Sequence, residues 1–353
     1  MATVDHVQPR PPSARRIRSD KLIDVAYRLR AFGIVAALAL LIVVTSVVQP
    51  RFLSGQEVNF VLGNTSIMAL LTLGEAMVII SRNVDLSIGS VLGLSAYVSG
   101  SMFGRLHGVP AGVAIVIAFL VGIGVGAACG IVNGALTTIG RVPSLVVTLA
   151  TLYIIRGIDI LVIGGGQVVA SSLPNAFFQV SLKNFHNVPY LMCAVAVVIG
   201  IGAYYMRSYR SGRDLYAIGS NPDAARLVGI PSGRRVFTAF VPSGSIAGAA
   251  GVLWASKYGT LDSTAGSGYE LQVIAAVVIG GVAIFGGSGS VIGAALGALL
   301  LNTILAALYV GGVSPFWTQA IAGAMILVAI TIDRLISLQL TAALRRRRSR
   351  EAA

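Results

Sequence analysis

Apolar runs of about 20 residues follow one another from Ala31 to Leu335, and nothing else in the chain limits its fold so sharply. A bilayer offers no water to backbone N–H and C=O groups, so a spanning segment must satisfy them within a helix or a closed barrel. Runs of this length cross the roughly 30 Å hydrocarbon core as helices, whereas barrel strands read as alternations of about ten residues. The chain is 56% hydrophobic and 11% charged, far from the roughly 25% charged content of a soluble domain. An all-α integral membrane protein is expected.

Ten transmembrane helices are predicted, over residues 31–49 and near 60–80, 88–104, 109–132, 143–163, 188–206, 236–255, 269–286, 289–310 and 315–335. The first follows a basic tail (Arg10, Arg15, Arg16, Arg18, Lys21, Arg28, Arg30) and has no A-x-A cleavage pattern, so it reads as a retained span rather than a signal peptide. The runs starting near Ser87 and Pro143 are open to two readings, a clean crossing or a re-entrant or broken helix. The organisation expected is a basic N-terminal tail (1–30), a transmembrane domain (31–335) with one long polar connection (207–235), and a basic C-terminal tail (336–353).

Net charge is +13, yet no basic face is interleaved with stacking aromatics, so nucleic-acid binding is not indicated. Topology explains the charge better. With the N-terminus in the cytoplasm, 21 of the 26 Lys and Arg fall in cytoplasmic segments, and Arg51, Arg105, Arg156, Lys183 and Lys257 fall outside or within spans. Both ends are therefore expected in the cytoplasm. The pentapeptide Gly89-Ser90-Val91-Leu92-Gly93 recurs as Gly289-Ser290-Val291-Ile292-Gly293, which suggests two five-helix inverted repeats.

Within the connection, Asn221 is a good N-cap, Pro222 suits the first helical position and Asp223 places negative charge at the positive end of the helix dipole. Ala224, Ala225, Arg226, Leu227 and Val228 continue for two turns, and Gly229 fits the left-handed residue that closes a helix. So short a helix has to be held by packing, on its own bundle or on a partner.

Asp223-Ala224-Ala225 followed by Gly229 resembles the E-A-A-x-x-x-G core of the cytoplasmic loop of ABC importer permeases, with Asp in place of Glu. "VDLSIGSVLGLSA" (84–96), "NGALTTIGRVPSLVVTLATLYIIRGI" (133–158), "GRDLYAIGSNPDAARLVGI" (212–230) and "IGGVAIFGGSGSVIGAALGALL" (279–300) extend the resemblance to the permeases of the ribose, xylose, autoinducer-2 and rhamnose importers. Where many sugar permeases carry Gly-Gly, this chain has Arg82-Asn83, which is similar to the autoinducer-2 and rhamnose branches. The resemblance implies the ABC importer permease fold, a second permease copy or paralogue, a substrate-binding protein docking outside, and a cytoplasmic ATP-binding subunit docking around Asn221, Pro222, Asp223, Ala224, Ala225, Arg226 and Gly229. The assembly would sit in the lipid of a bacterial inner membrane. ATP would be hydrolysed by the partner, and the solute would be a neutral sugar or sugar-like molecule.

The residues themselves offer little else by way of chemistry. No Gly-Lys pair exists, so a P-loop is excluded and no cofactor is expected on this chain. His6, His107 and His186 form no metal motif, no catalytic residue stands out, and Cys129 and Cys193 read as small buried hydrophobes. Ionisable residues at membrane depth are Glu75, Asp85, Arg156 and Asp159. Arg156 and Asp159, at i and i+3, suggest a structural ion pair near the external end. Glu75 either anchors the Arg82 loop or contributes to the pathway. Asn64, Thr65, Ser66, Asn133, Thr148 and Thr151 are the neutral pathway candidates, since hydroxyl and amide groups suit a polyhydroxylated solute; helix-to-helix hydrogen bonding is the alternative for each. Arg82, Asp85, Ser87 and Gly89 mark a structured loop. Two other classes stay open at this point: a proton-driven secondary transporter using Glu75, Asp85 or Asp159, and a membrane enzyme.

Overall fold

The structure, a computed structural model, describes residues 32–106, 108–317 and individual positions between 320 and 331. Both basic tails, His6, His107 and part of the tenth expected span lie outside the described residues.

Helix α1 (Phe32–Val48) is followed by α2 (Gly55–Ile80), α3 (Ile88–Met102), α4 (Ala111–Thr138) and α5 (Ser144–Ile163). A short α6 (Asn175–Leu182) and a two-residue hairpin, β1 (Asn184–Phe185) with β2 (Val188–Pro189), precede α7 (Tyr190–Ser208). Then come α8 (Arg210–Ser220), α9 (Pro222–Leu227), α10 (Ser232–Tyr258), α11 (Tyr269–Ile279) and α12 (Val291–Val310). Six of these are long and apolar enough to cross a bilayer on their own.

The centre is α2, apolar around its whole circumference and buried from Thr65 to Ile80, as a helix surrounded by other helices must be. Ser54 caps it by accepting the Glu57 N–H. The outer helices α4 and α7 keep most of their surface exposed, as lipid-facing helices do. Cys193 is exposed on α7 and Cys129 half-buried on α4, so only in part do they behave as the buried hydrophobes expected.

Lipid gives no hydrophobic drive between helices, so close packing has to supply it. Along α4, Gly122, Gly126 and Gly130 face Gly244 and Gly248 of α10 so tightly that a Cβ on Gly126 would strike Gly244 O and stand 2.8 Å from Gly248 N. We predict that Gly126→Val forces the helices apart. Overpacking a tight contact typically costs about 1–3 kcal/mol, so the yield of monodisperse protein in detergent falls severalfold; an unchanged yield and thermal midpoint would refute the packing role.

Two expectations change. The run over 269–286 is helical only over 11 residues, about 16 Å and too short to cross. The eighth span is thus broken; of the two runs left open, α3 is helical over only 15 residues, about 22 Å, and α5, starting at Ser144, is one continuous helix. The chain leaves α10 at left-handed Gly259 and descends beside α3. Leu261 pairs with Val168, Ala265 O approaches Gly93, Gly266 O lies 2.6 Å from where a Gly89 Cβ would stand, and α11 starts there. The second change concerns the connection 207–235, which carries two helices. Leu215 and Ile218 of α8 are buried, although that segment is polar overall.

The repeated pentapeptide opens the third and the ninth of the apolar helices, so the two copies are six elements apart and do not mark equivalent places in five-helix halves. What they share is a task. Gly89 and Gly293 each sit in the first turn after a break, against a neighbouring backbone.

Candidate functional site: a buried polar knot and a basic groove

The break between α2 and α3 gathers most of the polar candidates. After Ile80 the chain reverses through Ser81 and left-handed Arg82 (φ 68°), then climbs beside the last turns of α2 until α3 starts. Backbone donors released by the reversal need acceptors in a dry place, and carboxylates provide them. Asp85 N–H donates to Glu75 Oε1 (3.1 Å), and Ser87 donates to Asp85 Oδ1 from both its N–H (3.0 Å) and its hydroxyl (2.6 Å). From α4, Asn133 Nδ2 donates to Ser87 Oγ (2.8 Å) and reaches Asp85 Oδ1 at 3.4 Å, while its Oδ1 accepts from the Thr151 hydroxyl of α5 (2.8 Å). The Thr148 hydroxyl donates to Val84 O (3.1 Å), and Ser144 Oγ accepts the Val84 N–H (3.2 Å).

Glu75, Asp85, Ser87, Asn133 and Thr148 are each 2% exposed or less. Residues assigned from the sequence to a pathway (Glu75, Asn133, Thr148) and to a loop (Asp85, Ser87) thus form one network joining four helices. Because α2 stops before Arg82, Glu75 reaches past that residue to hold the backbone of Asp85, and Arg82 is exposed. One Glu75 oxygen, Oε2, is buried without a hydrogen-bond partner among the described residues.

The remaining candidates lie apart from the knot. Asn64 Oδ1 accepts from Lys257 Nζ and from the Tyr258 hydroxyl (2.7 Å), with Lys257 Nζ 5.2 Å from the Phe60 ring centre. Thr65 is buried with its hydroxyl unpartnered among the described residues, and Ser66 returns its hydroxyl to Leu62 O of its own helix. Arg156 lies 3.7 Å from Asp159, the pair expected, but its Nη1 also donates to Ser263 O (3.2 Å) and Ala265 O (2.7 Å), pinning the descending segment before α11. His186 tops the β1–β2 hairpin in a left-handed conformation beside Asn187.

At the end of the bundle where α2 and α4 finish and α10 begins, a groove of about 800 Å³ opens between Arg82, Arg141, Thr138, Pro222, Arg226 and Val236. Its wall includes α9. Asn221 Oδ1 accepts the N–H groups of Asp223 (3.1 Å) and Ala224 (3.0 Å), and Gly229 closes the helix at φ 80°. Ala225 is buried against Val236, Phe240 and Ile218, so the helix is held on its own bundle by one face. The other face is bare: Leu227 is 89% exposed and Val228 74%. Arg141 (φ 54°) shares with Arg82 a left-handed backbone, which costs a residue with a Cβ roughly 1–2 kcal/mol.

Residues 57–330 match the family described as branched-chain amino acid transport system / permease component. The chain belongs to this family of permease components. The permease is 34% identical over 313 residues, 89% of its length and 86% of the relative's, to the autoinducer 2 import system permease protein LsrC of Enterobacter sp. (strain 638). It is similar to the proteins of the same name in Photorhabdus luminescens (32% over 288 residues, 82% and 85% of the two chains) and Escherichia coli K12 / DH10B (31% over 312 residues, 88% and 89%). No solved structure matches it.

Every element from α2 to α12 of the permease has nearly all its residues inside the matched region, including the knot and the groove. Sequence reasoning passed over Leu227 and Val228 as mere helix filler. The available signal was their apolar character on a two-turn helix outside any span, where lipid cannot cover them.

Proposed function

We propose that this multi-pass membrane permease forms the translocation pathway of an ATP-driven, binding-protein-dependent importer for a monosaccharide or sugar-like solute of the ribose, rhamnose or autoinducer-2 class. The similarity to autoinducer 2 import permeases supports the solute class. The observation that carries the mechanism is the capped helix α9, packed through Ala225 yet presenting Leu227 and Val228 bare beside a basic groove. A cytoplasmic ATP-binding subunit gripping Asn221–Gly229 would pull on α8 and α10, whose ends adjoin α9, and so switch the pathway between faces. In this scheme ATP stays on the partner, a substrate-binding protein delivers solute at the opposite end, a second permease copy or paralogue completes the pathway, and both termini lie in the cytoplasm.

The test is uptake by vesicles holding the whole complex. Uptake should need ATP and the binding protein and survive an uncoupler; uptake that continues without ATP but collapses with the proton gradient would establish secondary transport instead.

Within the pathway, Glu75 is the acid assigned a role beyond packing. Glu75→Gln keeps an acceptor for the Asp85 N–H while removing the charge. It is expected to lower uptake at least severalfold and leave co-purification with the ATP-binding subunit unchanged. Normal uptake by the variant would remove Glu75 from the mechanism.

A further inference from the structure

Three arginines converge on the groove beside α9, and among the described residues no acid lines it. Asp223, on the adjoining helix, is 89% exposed at its side chain and lies 3.6 Å from Arg226, while Asp214 is taken by Arg235 at 2.7 Å. Among the described residues, Arg82 and Arg141 have no ion pair. Both occupy left-handed backbone positions that glycine would fill without strain, in a chain with 42 glycines. Two guanidinium groups held at such positions, on two different loops and facing one concavity, focus positive potential there.

We infer that this groove is the seat of an acidic element on the ATP-binding subunit, whose carboxylates pair with Arg82 and Arg141 while Leu227 and Val228 fill an apolar pocket of the same partner. The inference rests on the ATP-driven reading above. Arg226 and Pro222 belong both to the groove and to α9, so a subunit that covers the helix also covers the arginines. The exposed Leu227 and Val228 at its edge favour a protein surface over lipid headgroups, which would leave that apolar pair in a hydrated layer. Rim charges of this kind act mainly on association rate, specificity and salt dependence.

The test uses the full-length permease and its purified ATP-binding subunit. The double variant Arg82→Gly, Arg141→Gly removes both charges while relaxing both backbones, so it should purify and melt like the wild type. Its affinity for the subunit should fall about tenfold or more at low salt, with a flatter salt dependence, and Arg82→Lys with Arg141→Lys should recover most of the loss. Wild-type affinity and salt dependence in the glycine variant would overturn the assignment. Leu227→Asp, run beside it, separates the two levels. If Leu227→Asp also binds normally, the ATP-driven docking itself fails; if it alone releases the subunit, only the groove assignment fails. A glycine variant that binds normally but loses uptake only in vesicles containing anionic lipid would assign the groove to headgroups and likewise overturn the inference.

Discussion

Leu227→Asp is expected to abolish ATP-driven uptake while leaving the permease folded and inserted. Leu227 is 89% exposed, so its side chain contributes almost nothing to the fold, and a surface substitution there stays within about 0.5 kcal/mol. Buried under a partner, the same residue is an apolar anchor, and such anchors are worth about 2 kcal/mol or more, roughly a 30-fold loss in affinity. Introducing a carboxylate adds the cost of desolvating a charge at the contact. The subunit should therefore no longer co-purify with the variant, and ATP hydrolysis should lose its response to solute-loaded binding protein. An intact complex that transports normally would show that α9 is not where force enters.

Asp85→Ala is expected to have the largest effect on stability. Asp85 accepts three donors, the Ser87 N–H, the Ser87 hydroxyl and Asn133 Nδ2, in a site with 2% exposure. Deleting the acceptor strands the Ser87 N–H and hydroxyl in the bundle, while Asn133 Nδ2 keeps Ser87 Oγ as its acceptor. Each stranded donor costs about 1–3 kcal/mol, but hydrogen bonds between membrane helices measure lower, so a total of about 2–3 kcal/mol is the reasonable expectation. In detergent the thermal midpoint should drop by on the order of 5 °C. Ser87→Ala, which removes only one hydroxyl, should lose less than half as much. Equal stabilities for Asp85→Ala and the wild type would mean that the knot does not hold α3 and α4 to α2.

The bundle was legible because lipid leaves a chain few options: runs of apolar residues such as 111–132 could only be helices. Helix α9 was legible too, since Asn221, Pro222 and Gly229 mark its two ends by local chemistry. The knot was half legible. Glu75, Asp85, Asn133 and Thr148 stood out as polar groups at depth, but their meeting depends on a reversal at Ser81–Arg82 that brings residues 46 to 64 positions apart in sequence into hydrogen-bond contact, for example Asp85 with Asn133.

Two features could not be read from composition or periodicity. Helix α8 has a sequence with two glycines and two serines, poor formers in isolation, and exists by burying Leu215 and Ile218 on the bundle. The broken span at α11 was hidden because Gly280, Gly281, Gly286 and Gly287 count as apolar in a hydropathy window, whereas the last three take left-handed angles that end helix geometry. The polar stretch before Tyr269 reads as an ordinary external loop, but Ala265 O and Gly266 O lie against Gly93 and Gly89 of α3, and Arg156, 107 positions earlier than Ser263, holds it there.

Site-specific crosslinking tests the central claim, that a separate motor works this pathway through α9. With Cys129 and Cys193 replaced by alanine, Val228→Cys carrying a short photoreactive probe should label the ATP-binding subunit in intact membranes, and labelling should change when ATP is bound and hydrolysed. Labelling confined to lipid or to the permease itself, in cells that still accumulate solute, would contradict it.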